Sequence, residues 1–288
     1  MQIDRTASAI DAVAPDAGEV VTPQVSTTGS MAIMGDSTVQ IPSNADGDVV
    51  ITSTTVDARP IASVSVSLPE EIVSKPARVA RDGTVVYQSS QKRGTHGAVQ
   101  VLSDNLVRLQ TVIESAQGSH RFTYRFDDTV PVLNRDGSVD LVKKIQSEGV
   151  LIEGTVGHIQ PAWAVDAKGK PVPTHYEVNG RGKIVQVVDV NKRTAYPVVA
   201  DPTIGFTWQG INVWFNRAET KTIGNAPAAG VIMLGTLVSA NGIAIALGWS
   251  TGAVMGYASI VYSRGECLKF TWPISWVSFG SYRGGNCR

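Results

Sequence analysis

The chain has 288 residues, and its 25 Lys and Arg are matched by 25 Asp and Glu. That length allows one large or two modest domains, and the six basic residues spread over 203–288 form no stripe of the kind that nucleic acid requires. The neutral total hides a division: residues 1–202 carry 19 basic against 23 acidic residues (19 − 23 = −4), and residues 203–288 carry 6 against 2 (6 − 2 = +4).

The opening stretch MQIDRTASAIDAVAPDAGEVV has no basic n-region, apolar core or small-residue cleavage site. The expectation is therefore a secreted chain whose signal is trimmed or mis-started, because other features point outward. Residues 1–76 are read as a mostly disordered acidic leader. They contain no Phe, Tyr or Trp, and up to Lys75 there are ten acidic residues against three basic. Such a composition buries little large apolar surface against the entropy of ordering a backbone, roughly 1–2 kcal/mol per residue. Within it, DVVITSTTVDARPIASVSVSLP alternates well enough to pair with a sheet edge.

Residues 77–202 read as a β-rich module, a sandwich or rolled antiparallel sheet. Eight short runs (GTVVYQ, AVQVLSD, LVRLQTVIE, HRFTYRF, SVDLVKK, GVLIEGTV, PTHYEV and IVQVVDV) are separated by turn dipeptides such as Asp82-Gly83, Asp136-Gly137 and Asn179-Gly180. In RFTYRF the two-residue period puts Phe122, Tyr124 and Phe126 on one face and Arg121, Thr123 and Arg125 on the other.

Residues 203–288 read as a small cationic domain, which makes the whole chain α+β. NRAET starts a helix with Asn216 as N-cap and Glu219 reaching back to it, and Gly224 is placed to end it. No charge follows from Thr222 to Ser263. Two apolar helices are expected there, about Ala228–Ala240 and Ile243–Ser263, the second roughly 32 Å long at 1.5 Å per residue. A β-hairpin closes the chain. Both cysteines, Cys267 and Cys287, lie in this last stretch, which suits one disulfide in an oxidising compartment, with two free thiols as the alternative.

Trp163, Asp166, Gly169, Val172, Pro173, Tyr176, Gln186 and Val187, with the close YPVVADP at Tyr196 to Pro202, resemble a module of secreted actinobacterial proteins that precedes varied C-terminal domains. The tail, with WFNRAET, an apolar Gly- and Ala-rich region, RGECLKF and a last cysteine, resembles one of those domains. The resemblance spans about residues 80–288. It implies secretion and a two-part build, and it carries over no catalytic residue.

No site chemistry rises above its bland reading. His96, His120, His158 and His175 are too scattered for a zinc motif. His175 beside Glu177 reads as a surface contact, and no G-x-S-x-G elbow or phosphate loop occurs. NRDGSVD at Asn134 to Asp140 has a calcium-loop rhythm, but Ile145 stands where the bidentate Glu belongs, so a plain turn is expected. No cofactor, metal or catalytic residue is assigned.

Three readings of the tail stay open. In the first, Gly248, Gly252 and Gly256 form a small-residue seam in a membrane-inserted helix. Trp249, Tyr257, Tyr262, Trp272 and Trp276 then sit at the membrane interface. The chain becomes a secreted, bacteriocin-like, non-enzymatic effector that meets a target-cell membrane and pairs with an immunity protein. In the second, Ile243–Ser263 is a buried core helix whose glycines admit bulky neighbours. In the third, the aromatic hairpin binds a cell-surface or cell-wall polymer.

Overall fold

A computed structural model of the chain describes all residues except 1, 36, 55–59, 92–93, 148–149, 180–181, 206–210, 226–250, 273–277, 285–286 and 288. Two compact units emerge. The first comprises Met1–Leu141 and Val156–Thr207; the second comprises Val142–Thr155 and Trp208–Arg288. The boundary near residue 207 lies close to the 202/203 division expected from sequence, but the segment 142–155 joins the C-terminal unit.

The first unit is built from antiparallel strands. One sheet runs in the spatial order Gln24–Val25, Gly29–Met34, Ser37–Pro42, Asp48–Thr54, Pro60–Ser67, Arg121–Asp127, Lys183–Val188, Thr174–Val178. The other contains Arg78–Val79, Val85–Tyr87, Thr95–Leu102 and Leu106–Ile113. Two short strands, Val198–Ala200 and Thr203–Gly205, share Leu106–Ile113 as their partner. Each of the eight runs read from alternation lies on a strand. Phe122, Tyr124 and Phe126 are buried as their parity requires, at 0%, 0% and 2% exposure, and Arg121 is exposed.

Inward side chains of both sheets meet in one hydrophobic core that joins Val39, Ile51 and Val66 to Tyr87, Phe122 and Leu109. The second sheet is covered on its other face as well. Helix α1 (Gln2–Asp11) lays Ile10 against Ala98, Val112 and Val199, and Ala7 against Ala80 and Val86.

Residues 1–76 therefore differ from the disordered leader expected of them. They supply α1 and five strands, and Asp48–Thr54 pairs with Pro60–Ser67, whose Val66 pairs in turn with Phe126. The physical reason lies in the partners. Small β-branched residues need no aromatics of their own when the facing strands provide them.

The second unit contains helix α2 (Arg217–Asn225), helix α3 (Thr251–Ser263) and the antiparallel strands Ile211–Trp214, Cys267–Trp272 and Ser278–Tyr282. The capping box forms as read: Glu219 accepts the Asn216 N–H at 3.0 Å, and Asn216 Oδ1 accepts the Glu219 N–H at 2.9 Å. The expected helix Ala228–Ala240 lies outside the described residues, and Thr251–Ser263 is the described part of Ile243–Ser263. Cys267 and Cys287 are disulfide-bonded.

Ile51→Ala is expected to lower the unfolding free energy by about 2–5 kcal/mol in urea denaturation, as for a truncated core isoleucine. A disordered leader would leave that value unchanged.

Candidate functional site

Asp201 is the link between the strands Val198–Ala200 and Thr203–Gly205, and it is fully buried. Its Oδ1 accepts the Trp163 N–H at 3.0 Å, the Tyr176 hydroxyl at 3.2 Å and the Gln186 side-chain amide at 3.2 Å. Its Oδ2 accepts the Thr203 N–H at 2.9 Å. The Asp201 backbone carbonyl accepts the Tyr124 hydroxyl at 3.3 Å. Burial pushes the carboxyl up to about 7, against the opposing pull of these donors. The same burial holds both phenols well above their usual range, so they stay protonated donors. Buried Arg108 adds positive charge toward Asp201, and its guanidinium also donates to the Pro15 carbonyl.

Most of the residues behind the sequence resemblance thus have structural work to do. Trp163, Tyr176 and Gln186 converge on Asp201, and Val172 joins the core. Asp166 caps its own turn by accepting the Lys168 and Lys170 N–H groups at 2.8 and 3.0 Å, and Gly169 supplies the positive φ of 71° that the turn needs. Nothing local marks Arg108 as the partner of a distant carboxylate, or Tyr124 as the donor to the Asp201 backbone carbonyl.

The histidines are mostly engaged. His96 is buried, with Nδ1 accepting the Ser89 N–H at 2.8 Å and Nε2 3.2 Å from Glu114; burial lowers its proton affinity. His120 lies 3.4 Å from the Tyr196 hydroxyl, and burial lowers it too. His158 Nδ1 sits 2.7 Å from Asp140, with about a third of each side chain exposed. His175 is exposed and 3.7 Å from Glu177, but Glu177 is held bidentately by Arg121. The segment Asn134–Asp140 forms a turn, with the Asn134 N–H on the Ser138 carbonyl at 2.8 Å and Ser138 Oγ donating to Asp136 at 2.6 Å. Among the described residues no three His, Cys, Asp or Glu side chains group to hold a metal.

In the second unit the proposed glycine seam is only partly described. Gly248 lies outside the described residues, and Gly252 lies in α3. Gly256 is exposed, and among the described residues nothing lies within 4 Å of where a Cβ would stand. Close approach of helices occurs elsewhere, at Gly224 of α2. Its carbonyl accepts Ser259 Oγ at 2.9 Å, and a Cβ there would lie 3.0 Å from the Ser259 nitrogen. Helix α3 buries Val254, Ala258 and Val261 and packs on α2 and on Cys267–Trp272.

The predicted interfacial aromatics divide in the same way. Tyr257 packs on Phe279 with ring centroids 5.0 Å apart. Tyr262 lies under the Arg217 guanidinium at 4.0 Å, with Lys221 at 5.9 Å. Trp249, Trp276 and the side chain of Trp272 lie outside the described part of the structure.

Nothing local in the sequence marks Lys269 as the partner of Trp214. Register pairs Trp214 with Lys269 and Lys269 with Gly280. The Lys269 ammonium stands 4.1 Å over the Trp214 ring, and Tyr282 meets that ring edge-on at 4.7 Å. The other face of this sheet carries Leu268, Phe270 and Phe279, with Phe270 also against Phe215.

No family model matches the sequence, and no curated protein matches it either. Among solved structures the chain is similar to a Family GH92 inverting mannosidase from Bacteroides thetaiotaomicron, at 7% identity and a TM-score of 0.32. The overlap covers 82% of this chain and 34% of that enzyme, so the chain spans about a third of the enzyme's length.

Three substitutions test this geometry, two of them as a pair. Gly224→Ala is expected to cost about 1–3 kcal/mol by overpacking, whereas Gly256→Ala gains up to about 1 kcal/mol from helix propensity, both read by thermal and urea unfolding. Gln186→Leu, which removes a donor from Asp201 and from the Trp163 carbonyl, is expected to cost about 1–3 kcal/mol in the same assay.

Proposed function

We propose that the chain is a secreted binding protein that turns over no other molecule and meets a cell-envelope polymer through its C-terminal unit. The observation that carries the reading is the cationic aromatic face formed by Trp214, Lys269 and Tyr282. Trp and Tyr offer large, rigid contact area at small entropic cost, and a lysine held over an indole favours an anionic ligand. The cationic balance of residues 203–288, 6 basic against 2 acidic, favours the same class of ligand.

Secretion is supported by the disulfide, which persists in oxidising compartments, and by the resemblance of the YPVVADP segment. Among the described residues no helix is long and apolar enough to cross a membrane. Helix α3 is described from Thr251 to Ser263. Its burial of Val254, Ala258 and Val261 favours the packed helix over the inserted one.

The experiment sets the two functions side by side with the full chain. Cosedimentation with purified cell envelopes is expected to show binding that weakens with added salt. Trp214→Ala and Lys269→Ala are each expected to weaken it about tenfold while leaving the circular dichroism spectrum unchanged. Release of dye from anionic phospholipid vesicles, with no retention on envelopes, would overturn the proposal in favour of a bacteriocin-like membrane effector and its immunity partner.

A further inference from the structure

We propose that the peptide bond between Asp201 and Pro202 is a self-cleavage site, with the Asp201 carboxyl as internal nucleophile and the Tyr124 hydroxyl polarising the bond. The proposal is independent of the binding role given to the C-terminal unit.

Three features of the first unit carry it. The hydrogen bond from the Thr203 N–H to Asp201 Oδ2, at 2.9 Å, folds the carboxyl back along the chain across the Pro202 linkage. The scissile carbonyl oxygen is the acceptor of the Tyr124 hydroxyl at 3.3 Å, so a donor already stands where negative charge would develop. Proline, lastly, makes a tertiary amide whose nitrogen has no hydrogen and leaves as a secondary amine.

In the uncleaved chain the pocket is buried, with Asp201 at 0%, Tyr124 at 0% and Tyr176 at 3% exposure, and the break at Pro202 opens it to water. The titratable and charged groups around the carboxyl are Tyr124, Tyr176 and Arg108, and Arg108 is itself countered by Asp16. Because burial pushes the carboxyl up to about 7, a substantial share of it carries a proton near neutrality.

The reaction balances without any redox partner. The carboxyl proton passes to the Pro202 nitrogen, and a carboxylate oxygen adds to the Asp201 carbonyl carbon, closing a five-membered ring through Cα, Cβ and Cγ. The resulting oxyanion faces the Tyr124 hydroxyl. The C–N bond then breaks with its electron pair going to nitrogen, which leaves a cyclic anhydride on Asp201 and a new amino terminus at Pro202. One water molecule opens the anhydride to the two carboxyl groups of a terminal aspartate.

Cleavage does not by itself separate the pieces. Thr203–Gly205 still pairs with Leu106–Ile113 and with His158 and Ile159, and Val198–Ala200 still pairs with Leu106–Ile113.

The test follows the intact mass of the full-length chain after transfer from about pH 8 to about pH 6. The expected products are residues 1–201 and 202–288, seen only after denaturation, and formed at least about tenfold faster in the native chain than in concentrated urea at the same pH. The rate is expected to fall as pH rises past 7, where the carboxyl loses its proton. Asp201→Asn and Pro202→Ala are expected to stay intact. Tyr124→Phe, which keeps the ring, is expected to slow cleavage about 100-fold, within the range for loss of one oxyanion donor. Hydroxylamine added during the reaction is expected to leave a hydroxamate on Asp201. The proposal is overturned if the native chain stays whole while the unfolded chain breaks as fast or faster, or if Asp201→Asn is cleaved at the rate of the unsubstituted chain.

Discussion

The first unit depends on one buried carboxylate. Removing Asp201 from water costs several kcal/mol, and the cost is offset only when all its donors are in place. Those donors come from the Trp163 loop, from Thr174–Val178, from Lys183–Val188 and from Thr203–Gly205, while Tyr124 binds the neighbouring carbonyl from Arg121–Asp127. A strand shifted by one residue would turn Tyr176 or Gln186 away from the carboxylate and leave it unpaired. The hub therefore acts as a register lock: the surrounding hydrophobic core tolerates small repacking, and the carboxylate does not.

Where one face of a strand meets the core and the other meets water, the pattern was legible residue by residue, as in Arg121–Asp127. The capping box of α2 was legible too, because both partners lie within four residues. Residues 1–76 were not, since the composition of a segment does not show which large side chains other segments bring to its core. Val39, Ile51 and Val66 instead share a core with Tyr87, Phe122 and Phe126, contributed by chain that follows them. Alternation marks 142–155 as strand without naming the unit that strand completes, which is the second and not the β module.

The candidate sites were legible to a smaller degree. The disulfide followed from two cysteines in a short tail. Gly256 is exposed in the described structure, and four-residue spacing identifies a helix face while saying nothing of what faces it. Gly224, read from sequence as a helix terminator, is where two helices come together. Trp214 and Lys269 lie 55 residues apart in sequence (269 − 214), and only antiparallel register brings a cation over the indole.

Helix α1 has a bearing on how the protein is made. Ile10 packs with Val199, 189 residues further along the chain (199 − 10). Contacts of that span require a large loop to close before they return any stabilisation, and chains built on them fold slowly. On a ribosome the first helix waits, without its partner, for the strand that leads into Asp201. In energetic terms the two ends of the first unit are one element, and a truncation at either end removes the same piece of core.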